Sequence, residues 1–351
     1  MENRILKRIP KKILIVKPSS LGDIVHSLAV LSTLHEHFPK AKIDWVVAGG
    51  FEGMLENHPI VNRLWIIKKD QWKKLSLLIK TAQDLRELFL ALRAEEYDLV
   101  IDLQGLLRSG FITQATKAPV RIGFKEAREG SRLFYTHTVA GGRDIHAVDR
   151  YLKIAEALGC DVANIEFPLP LVKEPQDIID LKKSLGDYAV LVPGARKPAN
   201  RWSADRYGAL ASRLPITAVI LGSKADATLA ETVVAAAGDR AVSLAGKTDI
   251  KGLIHIIRGS RFMVCNDTGP MHIAAALHIP VVALFGPANP RRTGPYGQLH
   301  RVINHNLPCA PCYKKECGKP ICMEAIQVDE VETAVQNIMK SGHNSISGGS
   351  I

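Results

Sequence analysis

Four short stretches place reactive or ligand-binding side chains directly after an apolar, strand-like run. There, a chain turning into a helix offers a ligand both side chains and unpaired amides. In Lys17–His26, KPSSLGDIVH, two serines and Gly22 lead to a single acid, Asp23. A carboxylate in that place can act as a general base, or can simply complement the positive end of a helix. Ser19, Ser20 and Gly22 allow the backbone to approach an anionic ligand. The stretch has neither the G-x-G-x-x-G of dinucleotide-binding folds nor a Walker loop.

In Val264–Ala276, VCNDTGPMHIAAA, a strand-like run ends at Asn266-Asp267, Thr268-Gly269 make a turn, and Pro270 suits a first helical position. Exposed amides of Thr268 and Gly269 form an anion cradle, with the Thr268 hydroxyl as a further donor and His272 one turn inside the helix. An N-cap at Asp267 or Thr268 explains the turn but not His272. Val192–Trp202, VPGARKPANRW, offers Gly194 and the cations Arg196, Lys197 and Arg201, suited to a diphosphate or equally to a solvated surface. In Leu221–Asp226, LGSKAD, Asp226 can accept hydrogen bonds from ribose hydroxyls or cap a helix.

A fifth stretch, CAPCYKKECGKPIC, spaces Cys309, Cys312, Cys317 and Cys322 as C-x2-C-x4-C-x4-C. Four thiolates in so short a loop can enclose a structural Zn²⁺ or part of an iron–sulfur site, or they can be reduced thiols or labile disulfides.

The elements that must position these residues alternate in type. Strand-like runs occur at Ile13–Val16, Ile43–Val47, Leu64–Ile67, Leu99–Leu103 and Arg121–Phe124. A second series follows from Tyr188: AVLVPG, ITAVILGS, AVSLAG, FMVCND and VVALFG. Helical patterns fill the gaps, clearest in the stripe Leu75, Leu78, Ile79, Ala82, Leu85, Leu88, Phe89 and Leu92. Repeated βαβ units predict an α/β chain with two parallel, doubly wound sheets. The proline-rich FPLPLVKEPQD, residues 167–177, is the expected linker, so the domains are read as 1–170 and 171–340, with 341–351 as a flexible Gly/Ser-rich tail.

A formal charge of +11 calls for an anionic partner: nucleic acid, an anionic membrane surface or a phosphorylated substrate. The low aromatic content, 6%, gives no stacking platform, so nucleic acid is not the expected partner. No apolar run reaches bilayer-spanning length and Met1–Lys12 has no apolar secretory core, which predicts a cytoplasmic chain.

In this order and spacing, KPSSLGDIVHSLAVL, NDTGPMHIAAAL and LFGPANPRRTGPYG resemble the heptosyltransferases of bacterial lipopolysaccharide core synthesis. DWVV, YDLVIDLQGLLRSG, AREGSRLFY and HAVDRY look most like the type I members, which add the first heptose. The resemblance implies a GT-B fold, two Rossmann-like domains facing a cleft. It also implies inverting transfer from ADP-L-glycero-D-manno-heptose to the Kdo region of lipid A, an acceptor reached peripherally at the inner face of the inner membrane. Asp23 would be the general base. Ser19, Ser20, Gly22, Gly194, Lys197, Arg201, Asp226, Thr248, Asp267, Thr268, Gly269 and His272 would bind the donor, and Lys68, Lys73, Arg108, Arg121 and Arg128 the acceptor. No cofactor is implied for catalysis. The family usually carries Lys two residues before the Trp of VPGARKPANRW, where this chain has Asn200. Type II transfer to a heptosylated core, and outside the family a basic nucleic-acid-binding protein with a Cys-rich metal module, are the alternative readings.

Overall fold

The computed structural model describes residues 5–68, 78–170 and 173–344, arranged as two compact units, Met1–Val172 and Lys173–Ile351. Unit 1 interleaves β1 (Lys12–Val16), β2 (Lys42–Ala48), β3 (Val61–Ile67), β4 (Leu99–Asp102), β5 (Val120–Phe124) and β6 (His137–Val139) with α1 (Leu21–His37), α2 (Leu78–Ala94), α3 (Leu107–Ala115) and α4 (Ala147–Ala157). Unit 2 carries β7 (Tyr188–Val192), β8 (Thr217–Ile220), β9 (Ala241–Ser243), β10 (Met263–Asn266), β11 (Val281–Phe285) and β12 (Arg301–Asn304). Its helices are α5 (Gln176–Leu185), α6 (Ala204–Arg213), α7 (Ala227–Ala237), α8 (Ile250–Arg258), α9 (Gly269–Ala276), α10 (Pro290–Thr293), α11 (Ile321–Glu324) and α12 (Val328–Asn344).

Both sheets are wholly parallel, with orders β3-β2-β1-β4-β5-β6 and β12-β11-β10-β7-β8-β9. Each order runs outward in two directions from its first strand. Right-handed crossovers leaving that strand in opposite directions must cover opposite faces, so both sheets are doubly wound. The same topology puts the ligand crevice of each sheet where the order reverses, beyond the carboxyl ends of β1 and β4 and of β7 and β10.

Burial follows position in the sheet. Every residue of β4, β7, β10 and β11 is buried, as is β1 after Lys12, whereas the edge strands β3, β6 and β12 are partly exposed. Trp65, Tyr97, Val100 and Ile112 belong to the core of unit 1, and Trp202, Tyr207, Phe262 and Leu284 to that of unit 2. α1 stops at His37 because Phe38 precedes Pro39, which disfavours a helical conformation before it. α12 continues to Asn344, so residues 341–344 of the expected tail are helical. Its remainder, 345–351, lies outside the described residues.

Candidate active site

At the carboxyl end of β1 the chain passes through buried Lys17 and Pro18 before α1 starts. Asp23 stands three residues beyond Ser20, the N-cap position, and its Oδ2 accepts the Ser20 amide at 3.0 Å and the Ser20 hydroxyl at 2.8 Å. Its Oδ1 accepts from the Tyr151 hydroxyl of α4 at 3.1 Å and lies 3.7 Å from the Lys17 ammonium. Lys17 is spanned between partners: Nζ donates to Tyr151 Oη at 2.9 Å and to the Leu103 carbonyl, beyond β4, at 3.2 Å.

The charges in this cluster hold one another. Burial is the largest single effect on the Asp23 carboxyl and works against its anion, but the Lys17 ammonium, the Ser20 amide, His26 and the Ser20 hydroxyl together outweigh it, and the carboxyl is held well below the usual carboxylate range. Burial would likewise discharge Lys17, yet Asp23 and Tyr151 keep it charged. The Tyr151 hydroxyl is pushed up to about 12, by burial first and by Asp23 second. Asp23 is therefore an ionised acceptor with 38% of its side chain exposed. Two bonds occupy Oδ2 and one hydrogen bond reaches Oδ1, so lone-pair capacity remains for an incoming hydroxyl.

The neighbouring loop is organised by Asp102 at the end of β4. Its Oδ1 accepts the Gln104 and Gly105 amides, and its Oδ2 the hydroxyls of Ser109 and Tyr135. Arg128 is exposed beside it, its amide donating to the Gly105 carbonyl. Arg108 at the start of α3 and Lys68 just past β3 are exposed as well. Arg121 sits near the amino end of β5, where Nε donates to the Phe134 carbonyl and Nη1 to that of Ala118. Lys73 lies outside the described residues.

In unit 2, buried Asn266 at the end of β10 ties two loops together: its Oδ1 accepts the Trp202 amide at 3.1 Å and its Nδ2 donates to the Pro193 carbonyl at 2.8 Å. Trp202 anchors the other side of that loop, its indole donating to the Ile326 carbonyl at 3.0 Å. Between these anchors Asn200 Nδ2 donates to Asp267 Oδ2 at 3.1 Å, and Arg201 Nε donates to the Ala195 carbonyl while Nη2 lies 3.9 Å from Asp226 Oδ1. Asp226 Oδ2 accepts the Ser223 amide and hydroxyl, the same Ser-to-Asp arrangement that holds Asp23. Gly194 packs against this carboxylate so closely that a Cβ there would lie 2.6 Å from Asp226 Cγ.

Gly194, Arg201, Asp226 and Asp267 are thus brought together at the carboxyl ends of β7, β8 and β10. Thr268 is the extended N-cap of α9, Gly269 and Pro270 open the helix, and His272 is buried in its first turn. Lys197 is half-buried in the basic loop. Thr248 stands farther along, before Asp249, the N-cap of α8. Sequence reasoning missed Lys17, Tyr151 and Asn266 as organisers; their only signal was their place in the quoted stretches KPSSLGD, HAVDRY and NDTG.

The cysteine cluster, for which a structural metal is one of several readings, lies partly at the surface and partly in the core. Cys309, Cys312 and Cys317 are exposed, whereas Cys322 is buried in the core of unit 2. Among the described residues no group of three or more His, Cys, Asp or Glu is placed to hold a metal ion. The loop instead packs beside the basic stretch, the Ala199 amide donating to the Lys315 carbonyl at 3.1 Å.

Residues 85–321 match the model of glycosyltransferase family 9 (heptosyltransferase). The chain belongs to this family. The heptosyltransferase is 33% identical over 322 residues, 87% of both chains, to lipopolysaccharide heptosyltransferase 1 of Pseudomonas aeruginosa. It is 29% identical over 310 residues to lipopolysaccharide heptosyltransferase 2 of Salmonella typhimurium, covering 83% of this chain and 87% of that one. Among solved structures, an E. coli heptosyltransferase with ADP-2-deoxy-2-fluoro heptose superposes with TM-score 0.76 at 25% identity, over 93% of this chain and 99% of that one. This enzyme is a glycosyltransferase of GT-B architecture, built on two parallel sheets.

Proposed function

We propose that this heptosyltransferase moves L-glycero-D-manno-heptose from its ADP-linked donor to the Kdo region of lipid A, the first heptose addition of lipopolysaccharide inner-core synthesis. The type 1 relative from Pseudomonas aeruginosa supports that step. Unit 1 takes the acceptor and unit 2 the nucleotide sugar.

Asp23 carries the reading. In an inverting displacement the acceptor oxygen attacks the anomeric carbon on the face opposite ADP, its proton passes to Asp23, and the bonding pair leaves with ADP. A carboxylate of such low proton affinity is a weak base towards a free hydroxyl. It suffices here because the hydroxyl acidifies as the new C–O bond forms, so the proton moves late. One base is enough, since a nucleoside diphosphate leaves without protonation. In unit 2 the α9 amides at Thr268 and Gly269, with Arg201 and Lys197, take up the charge developing on the departing diphosphate, so catalysis requires no metal. Asp226 is the ribose acceptor. Asn200, which stands where the family usually has a lysine, is turned onto Asp267, leaving Arg196, Lys197 and Arg201 as the cations of the loop.

The test is transfer from ADP-heptose to Kdo2-lipid A by the wild type and by Asp23→Asn, read as ADP release and acceptor mass. A loss of at least about 10²-fold with donor binding retained supports the base assignment; undiminished turnover leaves Asp23 as a helix-start acid only. The relatives also include type 2 enzymes, such as the lipooligosaccharide heptosyltransferase 2 of Haemophilus influenzae, 30% identical over 315 residues. Product only from an acceptor already carrying one heptose would make this chain a type II enzyme.

A further inference from the structure

Large apolar side chains are exposed in several places on the protein, and four of them gather on α2, α3 and the single turn Ser131–Phe134 of unit 1. Leu107 and Phe111 lie four residues apart on one face of α3, and Phe111 meets Phe134 with ring centroids 4.9 Å apart, beside Leu133, which is 85% exposed. One further turn along the same face, Ala115 joins an open groove of about 450 Å³ whose other wall is Leu85, Phe89 and Leu90 of α2. Leu90 is 58% exposed. Apolar surface that is continuous over three elements marks an interaction site more than chance exposure does.

The charges along this strip choose the partner. The groove's ionisable groups, Arg86, Arg93 and Lys117, are all cations. At the other end stand the exposed Arg128 and Arg132, while the acid among them, Glu129, accepts the Leu107 amide at the start of α3. The strip begins at the carboxyl edge of the sheet that also carries Asp23, joined to it through the Lys17 bond to the Leu103 carbonyl.

We propose that this strip seats unit 1 on a bilayer surface containing anionic lipids, the apolar side chains entering the boundary between headgroups and acyl chains and the cations meeting the phosphates. The proposal deepens the lipid-linked acceptor reading and rests on it for its purpose. Vesicle binding consumes no donor, however, so it succeeds or fails separately from transfer.

The measurement is co-sedimentation of the full chain with vesicles of phosphatidylethanolamine and phosphatidylglycerol, compared with phosphatidylcholine alone. Leu90→Asp/Leu133→Asp and Arg86→Glu/Arg93→Glu are tested beside a control on unit 2, Arg291→Glu/Arg292→Glu. All replace surface side chains, and circular dichroism checks their folding. The wild type and the control should bind anionic vesicles, and each strip variant should lose binding by at least about tenfold. Folded strip variants that partition like the wild type, or a wild type bound to no vesicle, overturn the proposal. So does a strip that proves to cover a second copy, shown by a dimer in sedimentation equilibrium that Leu90→Asp/Leu133→Asp dissociates.

Discussion

A lysine with only 3% of its side chain exposed keeps its charge when an anion answers it, and at Lys17 that anion is Asp23, 3.7 Å away. The dependence runs both ways: without the ammonium, burial would govern Asp23 and raise its proton affinity. Lys17→Met should therefore move the acid limb of the kcat/KM profile to higher pH. A group whose folded pKa is depressed is ionised, and contributes its stability, above its unfolded value, and loses both as pH falls through the folded value. The wild type should accordingly keep its activity into mild acid. The ratio of rates at about pH 5.5 and about pH 8 should drop at least ~5-fold in the variant. An unchanged ratio would remove Lys17 as the counter-ion of the base. Asp23 stands out in KPSSLGD as a lone acid at a strand-to-helix turn, open to the role of a base or of a helix-start acid. Lys17 does not, since a lysine closing an apolar run reads as a surface cation until β1 is seen enclosed between β2 and β4.

Helices and loops hold the proposed donor side in unit 2 through contacts that single atoms can upset. Gly194→Ala would add a Cβ 2.6 Å from the Asp226 carboxylate, which must then shift away from Ser223 and Arg201. Its backbone tolerates alanine, so the fold should persist while ADP binding measured by calorimetry weakens by about tenfold, a loss of about 1.4 kcal/mol. Asn266→Ala should act more broadly. It orphans the Trp202 amide and the Pro193 carbonyl, both tied down by the buried amide, and should cost about 2–3 kcal/mol in denaturant unfolding besides weakening ADP. The inner strands were readable as apolar runs because parallel strands are covered on both faces. β6 and β12 were not, because they are short edge strands with partly exposed residues. The cysteine spacing fixes how far apart the thiols are along the chain, but not that Cys322 turns into the core.

At the scale of the whole molecule, two units of one strand order follow from two runs of alternating elements, and the change of unit falls within the proline-rich segment 167–177. The excess charge of +11 belongs to this scale too, because it acts over distances longer than any one contact. Its parts differ in how far salt can reach them. Lys68, Arg108 and Arg128 on unit 1 are exposed, and charges like these are screened over about 10 Å at about 0.1 M salt. Arg201 keeps 35% of its side chain exposed and already lies by Asp226, and the α9 amides carry no countercharge to exchange. Raising ionic strength from about 0.05 M to about 0.3 M should therefore raise the acceptor KM several-fold, about 5-fold or more, and change the donor KM by less than about 2-fold. Initial rates with each substrate varied in turn read the difference. An acceptor KM indifferent to salt would mean that the acceptor is held by shape and hydrogen bonds rather than by charge.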